Sequence, residues 1–170
     1  MRYLPSAAII AVAVATLRAT ALVAGQLPVA AVDFTPVVQE KLRLYGTQES
    51  ATLQAAILES VSREAARTTL PEGLTVTVTV RDIAPTHPTS QQATEDPTLD
   101  VVHTRYAGGA ELVGEVRDAN QHVLTTVRYR NFTPTLRLGA KSFDPWADAR
   151  LAIDGFAVKL AKACGKLAAH

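Results

Sequence analysis

The sequence predicts an α+β domain in which a four- to five-stranded, mainly antiparallel sheet forms a two-layer structure with two helices packed on one of its faces. Two observations favour this class. One stretch alternates strictly between apolar and polar residues, and segments on either side of it along the chain place apolar residues at helical spacing. The 170 residues, 48% of them hydrophobic, suffice for one domain with a buried core and exclude a disordered chain.

The N-terminus has the pattern of an export signal. Arg2 precedes an apolar run over residues 7–17, and small residues suited to signal peptidase follow. Cleavage after Ala31 fits best, because small residues occupy the positions that the peptidase reads. We therefore predict a signal peptide over residues 1–31 and a single α+β domain over residues 32–170.

Two alternatives stay open for this segment. Cleavage after Ala21 or Ala24 is also compatible with the small residues there. An uncleaved helix over residues 7–25 would instead anchor the protein in a membrane, although Arg18 interrupts the apolar run. The predicted location is periplasmic or secreted, with no membrane insertion after cleavage, and a membrane-anchored protein is the alternative.

The first predicted helix covers residues 48–67, where apolar residues recur at four-residue spacing. The segment before it, residues 34–46, is compatible either with a short helix opened by Pro36 or with an irregular strand. The apolar positions of the predicted helix are Leu53, Ile57, Val61 and Ala65.

Strict alternation predicts the first strand over residues 74–83. Its valine face is predicted to be core, and its threonine face is predicted to meet water. A Pro- and Thr-rich loop follows over residues 84–98, and a second strand is predicted over residues 99–106. The two faces of the first strand carry Leu74, Val76, Val78 and Val80 on one side and Thr75, Thr77, Thr79 and Arg81 on the other.

A hairpin is predicted near residues 111–130, with a four-residue turn over residues 118–121. This register leaves Val113 and Leu124 as apolar residues on the exposed side. The expected pairs are Val116 with Val123 and Leu112 with Val127 on the buried side, and Glu111 with Arg128 and Arg117 with His122 on the exposed side.

The last predicted helix begins with Asp144 as N-cap and Pro145 at the first helical position. Cys164 is the only cysteine, so no intramolecular disulfide can form, and its position on the apolar stripe predicts a buried structural thiol. The stripe comprises Trp146, Ala149, Ile153, Phe156, Leu160, Cys164 and Leu167.

Two stretches, "GGAELVGEVRDANQHVLTTV" and "WADARLAIDGFAVKL", resemble a family of exported bacterial proteins known as domain of unknown function 3313. The stretches "VDF" and "LPEGLTVTVTVRDI" are similar to a second exported family, domain of unknown function 3016. The resemblance implies an exported envelope protein. It assigns no catalytic residue, because neither family has an established reaction. The first family is typically lipidated, whereas no cysteine stands directly after the apolar run in this chain.

Charge and motifs exclude several classes of function. After residue 31 the chain carries 15 basic and 16 acidic side chains. It therefore lacks the excess of positive charge that is typical of nucleic-acid binding. The sequence contains no HExxH, GxSxG, CxxC pair or phosphate-binding loop, so no cofactor and no catalytic residue is predicted. A minor hypothesis is a metal or acid-base site that draws on His87, His103, Asp82 and Asp100.

The sequence favours a non-catalytic, exported accessory or binding domain whose partner is an envelope protein or another envelope component. The alternative is an envelope hydrolase or a metal-dependent enzyme with a site near the loop over residues 84–98. A broad polar sheet face favours the first, and a pocket with convergent titratable groups favours the second. The predicted binding surface comprises Thr75, Thr77, Thr79, His87, Glu111 and Arg128.

Overall fold

The structure is a computed structural model that describes residues 29–133 and 144–168. The α+β class is confirmed, whereas the described residues form four helices where two were predicted. The elements in chain order are β1 (Val29–Phe34), α1 (Pro36–Tyr45), α2 (Glu49–Ala65), β2 (Thr75–Ala84), α3 (Ser90–Glu95), β3 (Gly109–Arg117), β4 (Val123–Phe132) and α4 (Ala147–Leu167).

The sheet is mixed and has the strand order β1-β2-β3-β4. β1 runs parallel to β2, and the other two neighbouring pairs are antiparallel. The prediction of a mainly antiparallel sheet is therefore corrected at β1. The helices α1 and α2 form the crossover connection that a parallel pair of strands requires.

β1 spans the point at which signal cleavage was predicted. Ala31 pairs with Thr77 of β2, so cleavage after Ala31 would remove half of this six-residue strand. β1 has no separate signal in the sequence, because its alanines and valines continue the apolar N-terminal segment. The alternative cleavage sites at Ala21 and Ala24 lie outside the described residues.

β2 confirms the predicted alternation. Val76 and Val78 are fully buried and Val80 is 1% exposed, whereas the threonines between them stay partly exposed. Successive side chains of a strand point to opposite faces of the sheet. The valines of β2 therefore define the core face of the sheet, and its threonines define the open face.

The connection between β2 and β3 contains a helix and a turn, and the prediction of a strand over residues 99–106 is wrong. Thr89 caps α3 through a reciprocal capping box. Further along, Asp100 Oδ1 accepts the backbone N–H groups of Val102 and His103 at 3.0 and 2.9 Å. These hydrogen bonds take donors that a sheet ladder would use, and so they favour a turn.

The hairpin of β3 and β4 has a register that differs by two residues from the predicted one. The shift leaves the residues of β3 on their predicted faces, because the faces alternate with a period of two. The observed pairs include Leu112 with Tyr129, Val116 with Thr125 and Glu111 with Arg130.

The chemistry of the hairpin loop explains this register. Asp118 Oδ1 accepts the backbone N–H groups of Asn120 and His122, and Gln121 adopts a positive φ of 67°. The loop is therefore longer than the predicted four-residue turn, and the ladder shifts again where β4 begins. Val123 consequently lies at the sheet edge with 48% of its surface exposed, where burial was predicted.

The longer helices match the predicted segments. α2 confirms the first predicted helix, and the ambiguous segment before it is α1, which opens at Pro36. α4 begins at Ala147 with Trp146 as its N-cap, two residues later than predicted, so Asp144 is not the N-cap and Pro145 is not the first helical residue. Asp144 instead accepts the backbone N–H of Trp146 at 2.9 Å in the turn before the helix. The predicted stripe of α4 is buried from Trp146 to Cys164.

The core contains buried residues of α1, α2 and α4 and of the strands β2, β3 and β4. α4 contacts β3 and β4, and α2 contacts α4 and β1. Glycine allows a close approach here, because a Cβ on Gly114 of β3 would lie 2.9 Å from Phe156 Cζ of α4. Gly155 of α4 in turn lies directly against the ring of Tyr129. These contacts cover one face of the antiparallel strands.

Candidate functional site

The threonine side of the sheet carries partly or fully exposed side chains, and we call it the open sheet face. Five of the six residues of the predicted binding surface belong to it, and His87 does not. Every residue that defines it is partly or fully exposed. The face is defined by Thr75, Thr77 and Thr79 of β2, Glu111, Val113 and Glu115 of β3, and Thr126, Arg128 and Arg130 of β4.

Ion pairs along and across the strands occupy part of this face. Arg130 Nε lies 3.5 Å from Glu111 Oε2, and the guanidinium carbon of Arg130 stacks 4.7 Å from the centre of the Phe132 ring. Arg117 Nη2 donates to Glu115 Oε2 at 2.7 Å. Both carboxylates of β3 therefore have a cationic partner.

Arg128 differs from these arginines. It lies across the ladder from Val113, and its guanidinium forms no ion pair with the described residues. Its backbone oxygen accepts a hydrogen bond from Lys159 Nζ of α4 at 2.8 Å, which fixes the main chain and leaves the side chain to solvent. Arg128 thus offers a set of hydrogen-bond donors on the edge strand of the open sheet face.

His87 lies inside the protein, and its prediction as a surface residue is wrong. Its side chain is 3% exposed, and its Nδ1 lies 3.1 Å from the backbone oxygen of Thr104. The preceding Thr86 donates its backbone N–H to Pro145 O at 2.6 Å. The loop that leaves β2 is therefore folded against the start of α4, a long-range contact that composition does not reveal.

The four residues of the metal or acid-base hypothesis have separate environments. Asp100 Oδ2 and His103 Nδ1 lie 2.7 Å apart on an exposed turn. Asp82 accepts a hydrogen bond from Lys41 Nζ at 2.6 Å, while His87 is buried. Among residues 29–133 and 144–168, no three His, Cys, Asp or Glu side chains are placed to hold a metal ion.

A groove of about 390 Å³ lies beside α3. The described residues that line it carry no titratable side chain, and Val101 and Val102 keep 39% and 50% of their surface exposed. The volume is in the range of ligand pockets, whereas general acid-base chemistry requires titratable groups that this lining does not supply. The groove is lined by Pro88, Thr89, Ser90, Ala93, Val101, Val102 and Pro145.

Hydrogen bonds hold the walls of this groove in place. Thr89 Oγ1 donates to Tyr45 O at 2.5 Å and ties the start of α3 to the end of α1. The backbone N–H of Asp148 donates to Thr86 Oγ1 at 3.0 Å and ties the same segment to α4. The groove is therefore built from chain segments that are anchored on two sides.

A second, smaller cavity of about 110 Å³ lies between α2 and α4. Its polar centre is Asp154, whose Oδ1 accepts hydrogen bonds from Ser60 Oγ and, at 2.6 Å, from Arg63 Nη2. Because this one oxygen of α4 accepts from a hydroxyl and a guanidinium of α2, the cluster joins the two helices. We interpret it as a structural contact.

Cys164 is a buried thiol, as predicted. Its side chain is fully covered, and burial raises its pKa to about 11. Because the thiolate is the reactive form of cysteine, such a pKa makes Cys164 a poor nucleophile at neutral pH.

The sequence missed the groove for an identifiable reason. The consecutive valines Val101 and Val102 lie within the segment predicted as a strand, whereas Asp100 directly before them is a residue that favours turns. Asp100 was therefore the residue in the sequence that could have indicated a turn at this point. Pro145 was assigned only to the start of a helix, and nothing local indicates its contact with the segment around Pro88.

Comparisons with family models, with curated proteins and with solved structures found no match for this chain. The resemblance to the two exported families therefore stays a prediction. In the described ranges, no helix combines the length and the apolar character that a membrane crossing requires.

Proposed function

We propose that the protein is a non-catalytic, exported accessory domain that binds a protein of the cell envelope through the open sheet face. The observation that carries this proposal is that β2, β3 and β4 present a continuous row of partly exposed side chains, while their alternate residues form the core. A sheet face that is not needed for the core is free to contact a partner.

The chemistry of the face suits recognition of a polar protein surface. Its threonines supply hydroxyl donors and acceptors, and Arg128 supplies a planar guanidinium without an ionic partner among the described residues. Hydrogen bonds between strands hold these groups at fixed spacings, which lowers the entropy lost on binding. The partner is expected to offer carbonyl or carboxylate oxygens opposite Arg128.

Export is the second part of the proposal. It is supported by the charged start, the apolar run and the small residues of the N-terminal segment, and by the resemblance to exported families. Because β1 includes Val29 and pairs with β2, we favour cleavage upstream of this strand, at Ala21 or Ala24, over cleavage after Ala31. Mass spectrometry of the mature N-terminus tests this choice, and a mature chain that begins at Val32 contradicts it.

The binding experiment is recovery of a partner from envelope extracts by the tagged full-length protein. Arg128→Glu reverses a charge on the open sheet face, and we expect it to reduce recovery by about tenfold, since a like charge opposite a partner's oxygens is repulsive. Arg43→Glu is the matched control, because Arg43 lies on α1 and is exposed. Equal recovery by the two variants contradicts the proposed surface.

A further inference from the structure

The exposed valines beside α3 have no role in the core that explains their position. Val101 and Val102 lie on a turn in which Asp100 accepts backbone N–H groups from Val102 and His103. The His103 ring closes the turn through a contact of 2.7 Å with Asp100 Oδ2. The chain thus uses several polar contacts to hold two apolar side chains at the surface, where burial gives them little stabilisation.

The opposite wall of the groove is equally constrained. Thr89 is fully buried, caps α3 and donates to Tyr45 O, so the start of α3 is anchored to the end of α1. Pro145 accepts a hydrogen bond from Thr86 through its backbone oxygen. A ligand entering this groove would meet a preformed apolar surface, and little conformational entropy would be lost on binding.

Several carboxylates neighbour the lining residues along the chain. The connection over residues 85–108 contains three carboxylates, Glu95, Asp96 and Asp100, and one arginine, Arg105. Hydrogen bonds from Thr98 hold the pKa of Asp96 below its usual range, and those from His103 do the same for Asp100. Both carboxylates therefore stay ionised at neutral pH. Their field disfavours a fatty acid or a phosphorylated ligand and favours a cation next to the apolar group.

We propose that this groove is a second binding site, independent of the open sheet face, that takes an aliphatic side chain of a protein partner flanked by lysine or arginine. The aliphatic group contacts Val101, Val102 and Ala93, and the flanking cations lie near Asp96 and Asp100. The charge complementarity and the apolar lining together specify the occupant.

Short peptides test this site by titration of the full-length, isotope-labelled protein, followed through its backbone amide resonances. Acetyl-Lys-Leu-Lys-amide is expected to shift the resonances of Ser90, Ala93, Val101 and Val102. A peptide with serine in place of leucine tests the apolar contact, and one with glutamate in place of both lysines tests the charge. Each is expected to bind at least about tenfold more weakly than the parent peptide.

Two variants complete the experiment. Val102→Ser removes an exposed apolar side chain of the groove and is expected to abolish the shifts. Leu124→Ser is the control, because Leu124 is a similarly exposed apolar residue on β4, with 44% of its surface accessible. The proposal is overturned if no groove resonance shifts, if the glutamate peptide binds as tightly as the lysine peptide, or if Val102→Ser binds like Leu124→Ser. The peptide titration does not depend on the open sheet face. The result for partner recovery by Arg128→Glu therefore neither supports nor overturns the proposed groove.

Discussion

The two faces of the sheet belong to the same strands, but their side chains have different surroundings. On the core face, Val76, Val78 and Val116 are fully buried and pack beneath the helices. On the open face, Thr77 and Glu115 alternate with them along the same backbones and stay partly exposed. Packing therefore restricts which residues can occupy the core face. The residues of the open face are not restricted in this way and can instead suit a partner.

The core face stabilises the domain, whereas we propose that the open face binds a partner. Residues of the core face are constrained in volume, because α4 approaches so closely that β3 has glycine at Gly114. Residues of the open face meet water and mostly polar cross-strand neighbours, so we expect substitutions there to leave the core packing intact. The comparison can be tested by substitutions that affect one face at a time.

The largest effect is expected for Val116→Asp on the core face. It places an unpaired carboxylate in a fully buried position, and we expect the free energy of unfolding to fall by about 3–5 kcal/mol. Urea denaturation monitored by circular dichroism measures the change. A loss below about 1 kcal/mol would show that the position is accessible to water and that α4 does not cover it.

A smaller effect is expected from the pH dependence of Cys164 in the core. Burial raises the pKa of its thiol from about 9 to about 11 in the folded protein, so the folded state favours the neutral form. The corresponding stability is fully present below about pH 9 and is lost as the pH rises towards 11, by about 2 kcal/mol. The difference in unfolding free energy between wild type and Cys164→Ala, measured from pH 8 to pH 11, isolates this contribution. A constant difference across that range argues against a buried thiol.

The smallest effect is expected for Glu111→Gln on the open face. Glu111 and Arg130 form a partly exposed pair, and such pairs contribute less than about 1 kcal/mol. The double-mutant cycle with Arg130→Ala should show a small coupling, and the cycle with Arg128→Ala should show none beyond error. Coupling to Arg128 instead would support the register predicted from the sequence and contradict the observed one.

The sequence predicted the elements whose signal is local. Alternation of apolar and polar residues defined β2, and four-residue spacing of apolar residues defined α2, because both periods follow directly from backbone geometry. The assignment of Thr75, Thr77 and Thr79 to one exposed face follows from the same period. Five of the six predicted surface residues were found on that face for this reason.

Features that depend on contacts between distant segments were not predicted. The burial of His87 depends on Thr104 and on the packing of the loop near Pro145, which no local pattern encodes. β1 is a short strand whose partner lies beyond two helices. The hairpin register depends on how Asp118 organises its loop, and that preference was not separable from a shorter turn in the sequence.

Labelling of a single thiol at position 77 tests the proposed role of the open sheet face most directly. Thr77→Cys in a Cys164→Ala background places the thiol on the open face, and Glu59→Cys on exposed α2 is the control. In purified protein, we expect both thiols to react rapidly with a maleimide. In the intact cell envelope, we expect Thr77→Cys to be protected at least about tenfold while Glu59→Cys still reacts. Equal labelling of Thr77→Cys in both settings would contradict the account, because the face would then be free in its native surroundings.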